Sequence, residues 1–152
     1  MTIDEARRLR AGKRLVFTNG VFDIIHAGHV RYLTQARALG DMLIVGLNTD
    51  GSARLLGKGP DRPINPLEDR AEVLAALRAV DAVVAFEDRT PVALVAELQP
   101  EVYVKGGDYR LEDLPEAPIV QAYGGEVVLL PFLKGRSTTS ILRRLNLPED
   151  GR

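Results

Sequence analysis

The sequence predicts an α/β protein: a doubly wound, parallel five-stranded sheet with helices on both faces. Two observations predict it. Five short apolar runs rich in β-branched residues, RLVFT, MLIVGL, AVVAF, VYVK and EVVLL, recur along the chain, and each is separated from the next by enough residues for a crossover helix. Such alternation produces parallel strands buried on both sides. The 152 residues, 45% of them hydrophobic, suffice for one domain with one substantial core, spanning 1–152 with its centre in about 13–146.

Taken in order, RLVFT leads into a first helix opening near Ala27 and stopping at Gly40, with Val30, Leu33, Ala36, Ala38 and Leu39 as its buried stripe. After MLIVGL comes NTDGSARLLGKGPDRPIN, Asn48 to Asn65, too long and too rich in Gly, Pro and polar residues for a plain connection. Loops of that length are usually functional or mobile. NPLEDRAEVLAAL signals a second helix, with Asn65 as cap, Pro66 in the first helical position and Glu68 where a capping-box acid belongs. Thr90 and Pro91 repeat the device before VALVAEL. Gly124 and Gly125 end a helix that follows LEDLPEAP, and the last helix starts at GRSTTSILRRL.

The formal net charge of −1 and a charged fraction of 27% lack the basic excess of a nucleic-acid binder and suit a small ligand. Cysteine is absent, which excludes disulfides, cysteine nucleophiles and thiolate metal sites. The opening MTIDEARRLRAGKR has no apolar stretch of signal-peptide length and no segment is long enough to span a bilayer, so the expected location is the cytoplasm, away from membranes. Lysine is sparse, at Lys13, Lys58, Lys105 and Lys134 alone.

Both histidines lie in NGVFDIIHAGH, after the first strand. If Ala27 begins a helix, His26 and His29 share one face at its N-terminus, where unpaired amides and the helix dipole favour an anion. Gly28 keeps side chains away from a phosphate, and Gly20 frees the turn that leaves the strand. Two imidazoles there read as a phosphate clamp. A metal site with Asp23 as third ligand is the competing reading, weakened because the chain offers no further histidine or cysteine and because helical zinc pairs are spaced by four. Asp23 could equally orient a histidine or cap the helix, and Asn19 could hold the turn. VKGGDY follows the fourth strand: Lys105, Gly106, Gly107 and Asp108 could approach a base or ribose, or form a plain turn. In parallel α/β sheets ligands bind at the carboxyl ends of the strands, the edge into which both segments lead.

TNGVFDIIHAGH together with GRSTTSILRR resembles the H-x-G-H nucleotidyltransferase superfamily, the cytidylyltransferase-like Rossmann group, over nearly the whole chain. The stretches GKGPDRPINPLEDRAEVLAAL and VKGGDY are most similar to the adenylyltransferases acting on D-glycero-β-D-manno-heptose 1-phosphate. The resemblance implies AMP transfer from ATP, with Mg²⁺ carried by the nucleotide, to that sugar 1-phosphate, giving ADP-heptose for the lipopolysaccharide core and pyrophosphate. It implies His26, His29 and Lys58 as catalytic residues. Nucleotide contacts would come from Thr18, Asn19, Gly20, Phe22, Asp23, Gly28, Lys105, Gly106, Asp108, Ser137, Thr138 and Thr139, and no residue would be a protein metal ligand. Arg62, Arg70 and Arg136 are substrate candidates. It further implies a homodimer and, since relatives of this domain are often fused behind a sugar kinase, a separate kinase as supplier of substrate.

Glycerol-3-phosphate cytidylyltransferase is the nearest competitor. Its pattern usually carries Tyr-Gly-Thr after the first strand and an arginine before Ser-Thr-Thr, where this chain has NGV and Phe132. A nucleotide sensor without turnover is the alternative of another class, against which the intact H-x-G-H argues. An NAD-binding module is contradicted by the missing G-x-G-x-x-G.

Overall fold

A computed structural model describes residues 1–57, 59, 61–107, 109–131 and 138–145, the backbone alone for 138–140. Five parallel strands, β1 (Leu15–Gly20), β2 (Met42–Asn48), β3 (Ala82–Phe86), β4 (Val102–Gly106) and β5 (Glu126–Leu130), form one sheet in the order β3-β2-β1-β4-β5. Order reverses beside β1, so the crossovers before and after that point cover opposite faces, as in a doubly wound sheet. In register, Thr18 faces Val45 and Asn19 faces Gly46. Gly46 is required there by space: a Cβ would stand 2.6 Å from the Phe17 ring.

Seven α-helices, α1 (Ile3–Arg10), α2 (Ala27–Arg37), α3 (Asp50–Arg54), α4 (Leu67–Ala75), α5 (Val92–Leu98), α6 (Ala117–Ala122) and α7 (Thr138–Leu145), and a 3-10 turn at Leu111–Asp113 lie among the described residues. On one face α1, α5 and α6 place Ala6, Leu94, Val95, Leu98 and Val120 against Leu15, Phe17, Ile44 and Tyr103. On the other, α2 and α4 place Tyr32, Leu33, Ala36 and Leu74 against Val16, Leu43, Val45 and Val104. Alternate strand residues therefore feed two separate cores, the pattern required when a sheet is buried on both sides.

Several local expectations are corrected. A helix precedes the first strand: Thr2 caps α1 in a capping box with Glu5. Helix α2 stops at Arg37, and Val30 is 43% exposed, because Tyr32, Leu33 and Ala36 form the buried stripe. Gly40 serves packing, since a Cβ would approach the Arg14 carbonyl oxygen to 2.6 Å. Asn65 caps nothing: Pro66 holds the N-cap position of α4, and the Asn65 side chain donates to the Asp23 carbonyl at 2.7 Å. Pro91 likewise precedes α5 without a side-chain cap. Gly124 does end α6 with φ +88°, which favours glycine. The long stretch after β2 contains α3, whose N-cap Thr49 accepts from the Ser52 amide at 3.2 Å. Among the described residues no helix is long and apolar enough to cross a membrane.

Candidate active site at the ends of the central strands

The chain leaves β1 at Gly20 and turns before α2. The left-handed residue of that turn is Phe22, φ 48°, and not Gly20, whose missing Cβ instead makes room for the Phe22 ring, 2.9 Å from where it would sit. An aromatic residue rarely adopts positive φ, and here burial of the ring to 8% exposure holds it there. Phe22 then lies against His29, with ring centroids 5.2 Å apart.

His26 is the N-cap of α2, and its Nδ1 accepts from the Gly28 amide at 3.0 Å. A ring nitrogen that accepts carries no proton, so the neutral imidazole bears its hydrogen on Nε2 and is a donor at that atom. The His26 and His29 rings stack with centroids 3.9 Å apart and planes 27° from parallel. The Nε2 donor of His26 thus stands beside the His29 ring where the helix dipole already favours negative charge. In-plane lone pairs of near-parallel stacked rings run alongside one another instead of meeting at one ion, which disfavours the zinc alternative. Asp23, its supposed third ligand, is spent elsewhere.

Asp23 has no exposed side chain; it accepts from Arg62 Nε at 3.0 Å and from the amides of Ile64 and Asn65 at 2.9 Å each. It neither orients a histidine nor caps α2, but ties the loop before α4 to the turn carrying the histidines. Arg62, expected near the substrate, is the cation of that tie, with its side chain 12% exposed.

Arg70 is the clearest correction. Its side chain is fully buried, and its guanidinium donates to the carbonyls of Val21 and Asn48 at 2.8 and 2.9 Å, to that of Asn65 at 2.9 Å and to Asp50 Oδ1 at 2.7 Å. A phosphate cannot reach it. Its task is to clasp the ends of β1 and β2 to the start of α4, satisfying carbonyls that the strand ends leave without ladder partners. Thr18 is also internal: its hydroxyl is 2.6 Å from Tyr32 Oη, which donates to the Val104 carbonyl at 3.1 Å. Burial raises the Tyr32 phenol far above its ordinary range, so it stays a donor linking α2 to β4.

Beside the histidine turn, the strand ends enclose a cavity of about 340 Å³. Asn19 and Gly20 line it from β1, Asn48 from β2, Arg89 and Thr90 from beyond β3, and Lys105, Tyr109 and Glu116 from β4 and the segment after it. Tyr103 Oη donates to Asn19 Oδ1 at 2.6 Å, so Asn19 holds β1 to β4 through its oxygen and not the turn. Burial first, and then the nearby Glu116 carboxylate, raise the Tyr103 phenol well above its ordinary range and keep that donor protonated. Lys105 Nζ lies 5.1 Å above the Tyr109 ring. Gly106 ends β4, and Gly107, at φ 104°, donates its amide to the Leu130 carbonyl at 3.0 Å.

The structure therefore gathers His26, His29, Phe22, Gly28, Asn19, Gly20, Lys105 and Gly106 at one sheet edge. Lys58, Asp108, Arg136 and Ser137 lie outside the described residues, as do the side chains of Thr138 and Thr139, which open α7. Arg89, Tyr109 and Glu116 were missed by the sequence reading. Glu116 is one acidic residue among 21, with no spacing to mark it; the only available signal was its place after the fourth strand.

The cytidylyltransferase-like family model matches residues 17–141. A D-beta-D-heptose 1-phosphate adenylyltransferase of Bordetella bronchiseptica is 54% identical over 136 residues, covering 90% of this chain and 84% of that protein. A bifunctional protein HldE of Escherichia coli (strain UTI89) is 53% identical over 142 residues, which are 93% of this chain but only 30% of that one. Among solved structures, a lipopolysaccharide core biosynthesis protein from Thermoplasma volcanium superposes with TM-score 0.65 at 30% identity, over 81% of this chain and 98% of that one. A pantothenate synthetase from Thermus thermophilus reaches the same TM-score at 20% identity over 99% of this chain and 68% of its own, which speaks for the fold alone. With the family model matching most of its length and a relative 54% identical over 90% of it, the chain belongs to the cytidylyltransferase-like family.

Proposed function

We propose that this chain is an adenylyltransferase that moves AMP from ATP to D-glycero-β-D-manno-heptose 1-phosphate, yielding ADP-heptose for the lipopolysaccharide core and releasing pyrophosphate. The observation that carries the reading is the stacked pair His26 and His29 at the start of α2, 3.9 Å apart. The similarity to a heptose 1-phosphate adenylyltransferase supports the choice of acceptor.

In this reaction a phosphate oxygen of the sugar attacks the α-phosphorus of ATP in line, and pyrophosphate leaves. The attacking group is already an anion at neutral pH, so no general base is required. The protein has to position two anions and offset the charge that builds on the non-bridging oxygens. Nε2–H of His26 and the adjacent His29 ring supply donors there, backed by the amides of the α2 N-terminus, while Phe22 fixes the His29 ring. Lys58, Ser137, Thr138 and Thr139 are proposed to hold the triphosphate, and Asp108 and Arg136 to contact nucleotide or sugar.

Among the described residues no group of three His, Cys, Asp or Glu could hold a metal ion. Mg²⁺ is proposed to arrive with the nucleotide, ligated by triphosphate oxygens and water. When bound, the ion would share the neutralisation of phosphate charge.

The reading further proposes a kinase that makes the sugar 1-phosphate, a cytoplasmic site of action, and a homodimer, checked by light scattering at assay concentration. A matrix of ATP and CTP against heptose, hexose and glycerol phosphates, scored by pyrophosphate release with Mg²⁺, tests the function. ATP with the heptose 1-phosphate is expected to exceed every other pair; better turnover with CTP would overturn the assignment.

A further inference from the structure

Glu116 stands out among the groups lining the cavity. It precedes α6, is only 4% exposed, and its Oε2 is buried with no hydrogen-bond partner. Buried carboxylate oxygens are almost always paired, because desolvation without compensation is costly. A carboxylate left so at the wall of a cavity marks a position that a ligand completes.

The placement says which ligand. The cavity lies between the segments leading into α5 and α6, helices of one face of the sheet, whereas His26 and His29 open α2, which packs on the other. With the reacting phosphates at the histidines, the cavity across the strand ends receives an organic portion of a substrate. Its lining is mixed: cations at Arg89 and Lys105, the Asn19 amide, whose oxygen is already taken by Tyr103, and the Glu116 carboxylate. Apolar surface from Val21, Leu56, Pro91 and Leu114 completes the wall between these polar groups. A polyhydroxylated substrate finds an acceptor for its hydroxyls in Glu116 and donors in Arg89, Lys105 and the Asn19 amide nitrogen.

We propose that Glu116 is a specificity-determining residue of the acceptor subsite, accepting hydrogen bonds from hydroxyls of the sugar 1-phosphate. This rests on the adenylyltransferase reading and deepens it. The carboxylate takes no proton from the reacting oxygen; it fixes the orientation of the sugar, so its loss weakens acceptor binding and leaves the nucleotide site unaltered.

The test uses the full chain, wild type, Glu116→Gln and Glu116→Asp, with steady-state pyrophosphate release as ATP and D-glycero-β-D-manno-heptose 1-phosphate are varied in turn, and thermal melting of each variant. Glu116→Gln is expected to raise KM for the heptose phosphate about tenfold or more, the scale of hydrogen bonds to a charged group, with KM for ATP within about twofold. Its melting temperature should not fall, because no intramolecular partner is lost. Glu116→Asp, which keeps the charge but shortens the reach, should show the same KM split. A raised KM for ATP with unchanged acceptor kinetics would assign the carboxylate to the nucleotide and overturn the proposal. Unchanged kinetics with a lowered melting temperature would make Glu116 purely structural and overturn it too. If no sugar 1-phosphate increases pyrophosphate release by the wild-type chain, the adenylyltransferase reading fails and this inference with it. Wild-type activity with unaltered variants defeats this inference alone.

Discussion

Arg70→Met separates a structural clasp from a substrate contact. Methionine keeps the apolar stem and removes the guanidinium. Four hydrogen bonds disappear, and the carbonyls of Val21 and Asn48 lose a donor that is shut off from water. Each buried group left unsatisfied costs about 1–3 kcal/mol, while Asp50, at 34% exposure, recovers most of its solvation. The expected loss is about 3–5 kcal/mol, in line with breaking a buried ion pair. For a chain of this size that lowers the melting temperature by roughly 6–20 °C. Urea unfolding followed by circular dichroism measures it, alongside KM for both substrates below the transition. A stability change under about 1 kcal/mol combined with a large rise in KM would refute the reasoning and return Arg70 to the substrate.

Asp23→Asn should destabilise by about 2–4 kcal/mol, since Arg62 loses its partner and the amides of Ile64 and Asn65 lose an anionic acceptor, and limited proteolysis should then cut first between α3 and α4. Thr18→Val removes one buried hydroxyl contact to Tyr32 and should cost about 1 kcal/mol with kcat for ATP within about twofold; a large loss of nucleotide affinity would restore Thr18 to the ligand. Glu101 supplies a pH dependence. Burial acts to raise its carboxyl, but hydrogen bonds from the Leu15 amide and from Arg10 outweigh it and hold the group below the ordinary 4.5. A depressed folded-state value contributes stability above the unfolded value and loses it as pH falls through the folded one. Acid unfolding below about pH 4.5 should therefore be shallower in Glu101→Gln than in wild type, read from urea midpoints across the acid range.

The strands were legible because burial on both faces demands apolar runs such as MLIVGL, buried at every position of β2. The histidine turn was legible because its residue types are rare in this composition. Helix α1 is hard to see in the sequence because half of MTIDEARRLR is charged, although its capping box is spelled out in Thr2 and Glu5. Asp23 and Arg70 were misread for a physical reason: the side chains that bind phosphates and metals are also those that satisfy buried backbone groups. Only the fold reveals that the guanidinium of Arg70 is turned toward the carbonyls of Val21 and Asn48. The turn after β1 was assigned to Gly20 on propensity, whereas packing of the Phe22 ring decided it. Glu116 carried no local signal, because an unpaired buried oxygen is a property of tertiary surroundings.

His26 and His29 are proposed to stabilise charge that develops during transfer. Steady-state kinetics of His29→Ala and His29→Asn with ATP, Mg²⁺ and the heptose 1-phosphate test it most directly. Loss of one such donor should lower kcat by about two to three orders of magnitude in the Ala variant, with KM for ATP much less affected, because the contact strengthens in the transition state. The Asn variant, which keeps a donor, should retain more activity than Ala. Equal losses in the two variants, carried by KM for ATP at an unchanged kcat, would show that the histidines only bind the nucleotide, and would contradict the account.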